Sequence, residues 1–538
     1  MGIISRMDEQ AITERASNRS QRPDSQAFRD FIGGQWADSQ PLVTEPHPAA
    51  AAAAQRRAAL AAKFPGERLV FPAGSLKTRS NDCDYRFRPH SAFAHLTGLG
   101  VDREPDAVLV LHPLPNPSTA TKPSSPDSAS DQQTGLSSQD QPTHQAVLYF
   151  RPASGKDTPE FYADSRYGEF WVGRRATLEE VQLETGIETA HLDQLPDALS
   201  KDVGPGQVQL RVIEQADSQI TNLVEAIRHQ AGFNDDDFDP AKLTPDEHLA
   251  EAASEARLIK DDHEIGQMRQ AIAATIKGFE RVVRALPEAI HHPRGERVIE
   301  AAFETGARID GNGTGYDTIV GSGNHATTLH WIENTGPVRP GDLILVDAGI
   351  EAESLYTADI TRTLPVSGRY TDVQRRIYQA VVDAADAAFA AAQVGRRFRE
   401  VHEAAMVVIA QRLAEWGLLP VTAEQALCPD GQQHRRWMVH GTSHHLGIDV
   451  HDCAAARAEL YIDAKLEPGM VFTIEPGLYF KSEDLAVPPE YRGIGARCED
   501  DILITERGPE NLSVALPRHP HDIETWMAGL CHSLPANA

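Results

Sequence analysis

PGDLILVDAG (Pro340–Gly349) and PGMVFTIEPG (Pro468–Gly477) are the two stretches from which the fold of this 538-residue chain is read. Each opens with a Pro-Gly turn and continues as an apolar run. Each closes on an acid and a second turn, with Asp347 in the first and Glu475 in the second. A Pro-Gly pair before a strand is common and alone would be coincidence. The matched position of the acid argues for an internal duplication. Downstream of each copy stands another acid beside a strand: Asp359 in TADITRT (Thr357–Thr363) and Glu499 in RCEDDILIT (Arg497–Thr505). Two related halves facing each other would each deliver two carboxylates to one shared centre.

The individual residues bear this out by degrees. Asp347 ends the apolar strand Leu343–Val346, Asp359 starts the next, and a turn through Ala352–Leu355 joins them. A hairpin of this kind brings the two carboxylates side by side. A single Asp-x-Gly is ordinarily a strand-end turn, and Glu499-Asp500-Asp501 alone reads as a solvated acidic turn. The following apolar strand, Ile502–Ile504, and the neighbouring Arg497 argue against full exposure.

Four carboxylates drawn into a low-dielectric cleft repel one another, so they must take up protons or bind cations. The segment HGTSHHLGIDVHD (His440–Asp452) supplies imidazoles. An oxygen-rich site with one imidazole suits hard to borderline divalent ions, above all Mn²⁺, with Co²⁺ or Zn²⁺ as alternatives. The number of donors suits two ions sharing bridging carboxylates, an arrangement that activates water. His440 and His444 are four apart but do not form HExxH, which argues against a single-zinc protease. The chain has no GxSxG in a strand–turn–helix context, and Ser322 and Ser443 sit in expected loops, so serine hydrolase chemistry lacks support.

As an ordered set, VDAG (Val346–Gly349), TADITRT, HGTSHHLGIDVHD, TIEPGLY (Thr473–Tyr479) and RCEDDILIT resemble the metal-dependent aminopeptidases of the creatinase-like, or pita-bread, fold. Within that group the chain most resembles the Xaa-Pro aminopeptidase (aminopeptidase P) family, from roughly Asp82 to Thr505. SNDCDYRFRPHSAFAHLTG (Ser80–Gly98) is similar to that family's N-terminal domain. The resemblance implies an α/β (α+β) architecture: an N-terminal creatinase-like domain and a C-terminal pita-bread catalytic domain with pseudo-twofold symmetry. It implies that Asp347, Asp359, His444, Glu475 and Glu499 hold two divalent ions, with Asp359 and Glu499 bridging. By the same resemblance Glu475 also shuttles protons, and His440, His451 and Tyr479 support the site from behind. His330, in TLHWIEN (Thr328–Asn334), lies near the substrate, and Arg497 offsets residual negative charge. Thr361 and Arg362 are placed to support Asp359. His445 stands where relatives often carry a bulky apolar residue and reads as a packing or rim difference and not as a ligand. Many members have the two aspartates one residue closer; the extra residue falls in the hairpin turn, where it is tolerated.

The implied activity is hydrolysis of the bond between an N-terminal residue and a following proline in peptides, by a homodimer or homotetramer. The nearest alternative is an Xaa-Pro dipeptidase (prolidase) with the same metals and a cleft closed to longer peptides. A non-catalytic peptide-binding relative is disfavoured, because all five ligands are kept. Metal-free creatinase chemistry is disfavoured for the same reason.

Length calls for two or three domains. We read 1–45 as a flexible tail with one short helix near Phe28–Trp36, and 46–235 as the N-terminal domain. Pro48–Lys63 is a helix in that domain, and Leu69–Phe71, Ala107–Leu111, Ala146–Phe150 and Val208–Ile213 are strands. FWVGRR (Phe170–Arg175) reads as an aromatic core strand with surface arginines. The Ser/Pro/Asp/Gln/Thr-rich segment 113–144 reads as a disordered insertion. Gly232–Asp239 is part of a linker, 246–515 the catalytic domain, and 516–538 a C-terminal tail. In Leu258–Ile276, Leu258, Ile265, Met268, Ile272 and Ile276 fall near one helical face.

The formal net charge is −27, which excludes nucleic acid and anionic membranes as natural partners. The five cysteines (Cys83, Cys428, Cys453, Cys498 and Cys531) are odd in number and form no CxxC, which fits a reducing cytoplasm. MGIISRMDEQ carries no signal-peptide pattern, Arg6 breaks a myristoylation signal, and no membrane span is expected.

Overall fold

Strand residues that are apolar on both faces build the sheet of the first unit. The computed structural model describes residues 23, 25–115, 142–233 and 242–532. Most of the expected insertion, part of the expected linker and the ends of both expected tails lie outside these residues. The chain divides into two units, Met1–Leu249 and Ala250–Ala538. In the first, β1 (Glu67–Pro72), β2 (Val108–Pro113), β3 (His144–Phe150), β4 (Glu188–His191) and β5 (Gln209–Val212) form one sheet in the order β4-β3-β2-β1-β5. β2 runs antiparallel to β1 and β3, whereas β5 is parallel to β1 and β4 to β3. Val70, Val108 and Val110 pack on one face with Val224 and Ile227 of helix Ser218–Gln230. Leu69, Phe71 and Leu109 alternate to the other face and are equally buried. The short helix expected near Phe28 spans Gln26–Gly33 and starts earlier, because the Ser25 hydroxyl caps it by accepting from the Phe28 N–H. FWVGRR is not a strand. Glu169–Val172 is a helical turn between Gly168 and Gly173, and Phe170 and Trp171 are 60% and 56% exposed. Gly173 ends it at φ +87°, a left-handed conformation that glycine adopts freely.

In the second unit, helices α1 (Asp262–His291) and α2 (Gly295–Asp310) pack together and precede the strands β6 (Ile319–Ser322), β7 (Leu343–Ala348) and β8 (Ile360–Pro365). A second helix pair, α3 (Asp372–Ala391) and α4 (Phe398–Glu415), precedes β9 (Val471–Ile474), β10 (Gly477–Phe480), β11 (Ile494–Arg497), β12 (Asp500–Thr505) and β13 (Gly508–Asn511). The two halves thus repeat a helix pair followed by antiparallel strands. α1 begins at an Asp261–Glu264 capping box, so Leu258 lies in the turn before it and not on its face. The stripe that packs inward is Met268, Ile272, Thr275, Phe279, Val282 and Leu286.

β7 pairs with β6 and β8 and sets Asp347 opposite Ile319 and Thr361. β9 pairs with β12, and β10 with β11, setting Gly477 opposite Arg497. The halves join along β8: the Glu499 N–H donates to the Thr361 carbonyl at 3.1 Å, and the Thr363 hydroxyl donates to the Arg497 carbonyl at 2.9 Å. One apolar core runs through both halves. Residues 516–538, read as a tail, contain helix α5 (Pro520–His532), whose Ile523 and Met527 sit in that core. Their four-residue spacing gives the helix one apolar edge to bury.

Arg362 is wholly buried at this seam. Its five N–H groups are all taken: by the carbonyls of Thr361, Glu499, Leu516 and Pro517, and by Asp500 at 2.6 Å. Arg362→Met keeps the volume and removes the donors. It is expected to destabilise the second unit by about 3–5 kcal/mol, because the Asp500 charge loses this partner in the core. Chemical denaturation followed by intrinsic fluorescence checks this; a loss below about 1 kcal/mol would contradict it.

Candidate metal centre

The five residues singled out by the sequence come together in one cavity of about 630 Å³, within the second unit. Asp347 projects from β7 and Asp359 lies immediately before β8. The chain between them turns at Leu355, whose φ of +74° and N–H bond to the Ala352 carbonyl close the hairpin where it was expected. Gly349 allows the closure: a Cβ there would lie 1.7 Å from the Ala358 carbonyl oxygen. Glu475 follows β9, and Glu499 sits between β11 and β12. His444 lies on a segment that runs along β9, where the Thr473 N–H donates to the His444 carbonyl and the Glu475 N–H to the Thr442 carbonyl, both at 2.9 Å.

Donor atoms of Asp359, His444 and Glu499 lie within 4.8 Å of one another. His444 Nε2 is 3.3 Å from Asp359 and 3.6 Å from Glu475. The Tyr316 hydroxyl joins Asp347, at 2.7 Å, to Asp359. Thr361 and Arg362 were expected behind Asp359 but serve the other half. The Thr361 hydroxyl donates to Glu499 at 2.6 Å, and Arg362 holds the Glu499 carbonyl. The Asp359 N–H instead donates to Asp501, at 3.2 Å.

The charges of these side chains suit a cation. Burial pushes Asp347 up, although the adjoining Arg497 guanidinium opposes it. Burial and the Asp359 charge push Glu475 up to about 7, against the pull of His444 and Arg497. Burial, with Asp359 and Glu475 nearby, holds Glu499 well above the carboxylate range. Burial drags on His444, but its hydrogen bond to Asp359 and the charge of Glu475 outweigh it and raise the imidazole to about 9. Protein groups alone therefore leave this cluster over-supplied with negative charge, and protons make up the deficit. Divalent cations would replace those protons, and carboxylate oxygens with one imidazole are suitable ligands.

A second layer orders these donors. Arg497 contacts Asp347 and donates to the Tyr479 hydroxyl at 3.0 Å. Tyr479 lies 2.8 Å from His440 Nε2, and His440 Nδ1 faces the Gly441 carbonyl. Burial and Arg497 lower His440 to about 3, so it is neutral near pH 7, accepting from Tyr479 and donating to Gly441. His440 Nδ1 also lies 3.5 Å from Glu475. His451 stands edge-on to His444 at 4.4 Å between ring centroids, and His330 lines the cavity. His445 is packing, as read: it is fully buried and stacks on Phe398 at 4.9 Å. Tyr316 escaped the sequence reading, because an isolated tyrosine after Gly315 carries no spacing signal.

Comparison with known proteins comes to the same place. The model of metallopeptidase family M24 matches residues 266–506, and that of the aminopeptidase P N-terminal domain matches residues 53–210. The chain is 45% identical to Xaa-Pro aminopeptidase 1 of Streptomyces coelicolor over 495 residues, covering 92% of this chain and 90% of that one. It is 32% identical to the Xaa-Pro aminopeptidase of Escherichia coli, covering 88% and 96%. Among solved structures, a variant of Escherichia coli aminopeptidase P superposes with a TM-score of 0.73 at 28% identity, over 91% of this chain and all of that one. Pseudomonas aeruginosa aminopeptidase PepP gives a TM-score of 0.72 at 28% identity.

The raised acids and the raised His444 all favour the protonated folded state. Burial lowers His440, His445, His402 and His112, which opposes this in acid, but above about pH 6.5 those imidazoles are neutral in both states; there the metal-free folded form binds more protons than the unfolded one, and stability falls as pH rises. Chelated protein is expected to melt at progressively lower temperature from about pH 7 to about pH 9, and added divalent ion is expected to flatten or reverse the slope. A melting temperature of the chelated protein that rises with pH across this window would contradict the charge accounting.

Proposed function

We propose, on the premise that the chain belongs to metallopeptidase family M24, a division of labour among its residues in removing the N-terminal residue that precedes a proline. The chain is a metal-dependent Xaa-Pro aminopeptidase. The observation that carries this reading is the gathering of four acids and one imidazole in one cavity, in a chain that matches Xaa-Pro aminopeptidases along nine-tenths of its length.

Asp347, Asp359, His444, Glu475 and Glu499 are the proposed ligands of two divalent ions, with Mn²⁺ favoured because the donors are mostly oxygen. When bound, such ions supply Lewis acidity and lower the pKa of water. Glu475 takes the proton of the attacking water and hands it to the departing proline nitrogen. Its position 3.5 Å from His440 supports this, because the Arg497–Tyr479–His440 chain fixes the imidazole beside it. Arg497 balances charge at Asp347. His330 and His451 line the cavity where a carbonyl oxygen would gather negative charge, and are the proposed donors to it. The bond before proline is a tertiary amide without N–H, so recognition rests on shape and on the free N-terminal amine.

The odd number of cysteines, with no CxxC pair, supports work in a reducing cytoplasm. No helix among the described residues is long and apolar enough to cross a membrane. By family likeness the working form is a homodimer or homotetramer.

Mass spectrometry of Xaa-Pro dipeptides and Xaa-Pro-Yaa peptides, incubated with metal-stripped protein and added Mn²⁺, tests the assignment. Release of the first residue from the longer peptides is expected, and Glu475→Ala should lower the rate by at least about 100-fold. Cleavage confined to dipeptides would make the protein a dipeptidase. No cleavage with Mn²⁺ bound would refute the substrate class.

A further inference from the structure

Glu296, in the first turn of α2, is fully buried, and its carboxylate takes no part in the metal cluster. It accepts four hydrogen bonds, all from one segment of chain. Oε1 accepts from the Ser322 N–H at 2.8 Å and pairs with His325 Nδ1 at 2.7 Å. Oε2 accepts from Trp331 Nε1 at 3.0 Å and from the Gly336 N–H at 2.6 Å. The Glu296 N–H returns a bond to the Gly336 carbonyl at 3.0 Å, closing a ring. His325 and Trp331 stack at 4.0 Å between centroids, so the two side-chain donors brace each other. Gly336 is held to a bare backbone, because a Cβ there would lie 2.7 Å from the His325 ring and 2.8 Å from Glu296. The buried Asn334 side chain adds a second tether, accepting from the Val320 N–H and donating to the Thr318 carbonyl.

Between these tethers lie Leu329, His330 and Ile332, which face the cavity. Four of the segment's donors end on one carboxylate, while the residues between them make the cavity wall. We infer that Glu296 is a positioning residue for substrate, fixing the Leu329–Ile332 wall, and His330 in particular, against the peptide. This rests on the reading of His330 as substrate-facing. Removing an acceptor from four donors frees the segment without touching a proposed metal ligand, so substrate handling should change while metal content does not.

A double-mutant cycle on the Mn²⁺-loaded enzyme tests it, with Glu296→Gln, His330→Ala and their combination assayed on an Xaa-Pro-Yaa peptide. Glu296→Gln places amide hydrogens against two donors. It should raise KM and lower kcat/KM by between about tenfold and 100-fold, with bound metal unchanged. Hydrogen–deuterium exchange should quicken across residues 325–336. In the His330→Ala background the same change should cost less than about threefold more, since the group it positions is gone. An equal loss in both backgrounds, or a lowered melting temperature with kcat/KM unchanged, would overturn the inference. Should Glu296→Gln not fold, Trp331→Phe removes one donor, keeps the ring on His325, and enters the same cycle with an expected loss of about threefold to tenfold. If the wild-type enzyme cleaves no Xaa-Pro peptide, the functional reading fails. Exchange then decides the clamp alone: unchanged rates in the variant would refute it, and faster rates confined to this segment would sustain it.

Discussion

Mutual repulsion among buried carboxylates is the constraint around which the second unit is built. Asp347, Asp359 and Glu499 are each no more than 8% exposed, and Glu475 faces the same cavity. A fold does not gather such groups unless something returns the energy, and the metal ions of an M24 peptidase do so. The site is also stiffly backed. Asp347 is held by Tyr316 and Arg497, Glu499 by Thr361, and the Glu499 backbone by the Arg362 network. Second-layer donors of this kind stop the acids from splaying apart when the cations are absent.

Splitting the four acids between two halves shapes the architecture. Each half supplies an acid at the end of a Pro-Gly-led strand and a second acid across a turn. β8 is the common edge, since its Thr361 and Thr363 bond to the chain around Arg497 and Glu499. A shift along β8 would therefore move two of the four acids and disturb a third. This explains why the seam is closed by Arg362, whose five donors make it intolerant of slippage.

The acids that gather in the cavity were legible in the sequence because strand-end acids in duplicated contexts carry both a period and a position. Four strands of the first unit's sheet were legible for a similar reason, as short, bounded apolar runs, whereas Glu188–His191 was not, being polar and partly exposed. What stayed hidden depended on tertiary partners. Tyr316 bonds across to two acids from a glycine-flanked loop, and no local pattern marks such a residue. Thr361 alternates with Thr363 on β8, so the strand pattern shows that it faces the seam, but not which acid lies opposite. FWVGRR misled because aromatic runs favour strands, and the flanking Gly168 and Gly173 outweighed that preference. Helix α5 was hidden by its place at the end of the chain, although its Ile523–Met527 spacing was readable.

The distance between ligands along the chain has a consequence for how the enzyme matures. Asp347 and Glu499 are 152 residues apart, by subtraction of their positions (499 − 347). No growing polypeptide can bring the five proposed ligands together until Glu499 has been made and the halves have closed along β8. The full site therefore exists only in the closed fold, and protons or cations must balance its acids as it forms. Which ion it carries is decided by the pool it meets at that moment as much as by the donors themselves.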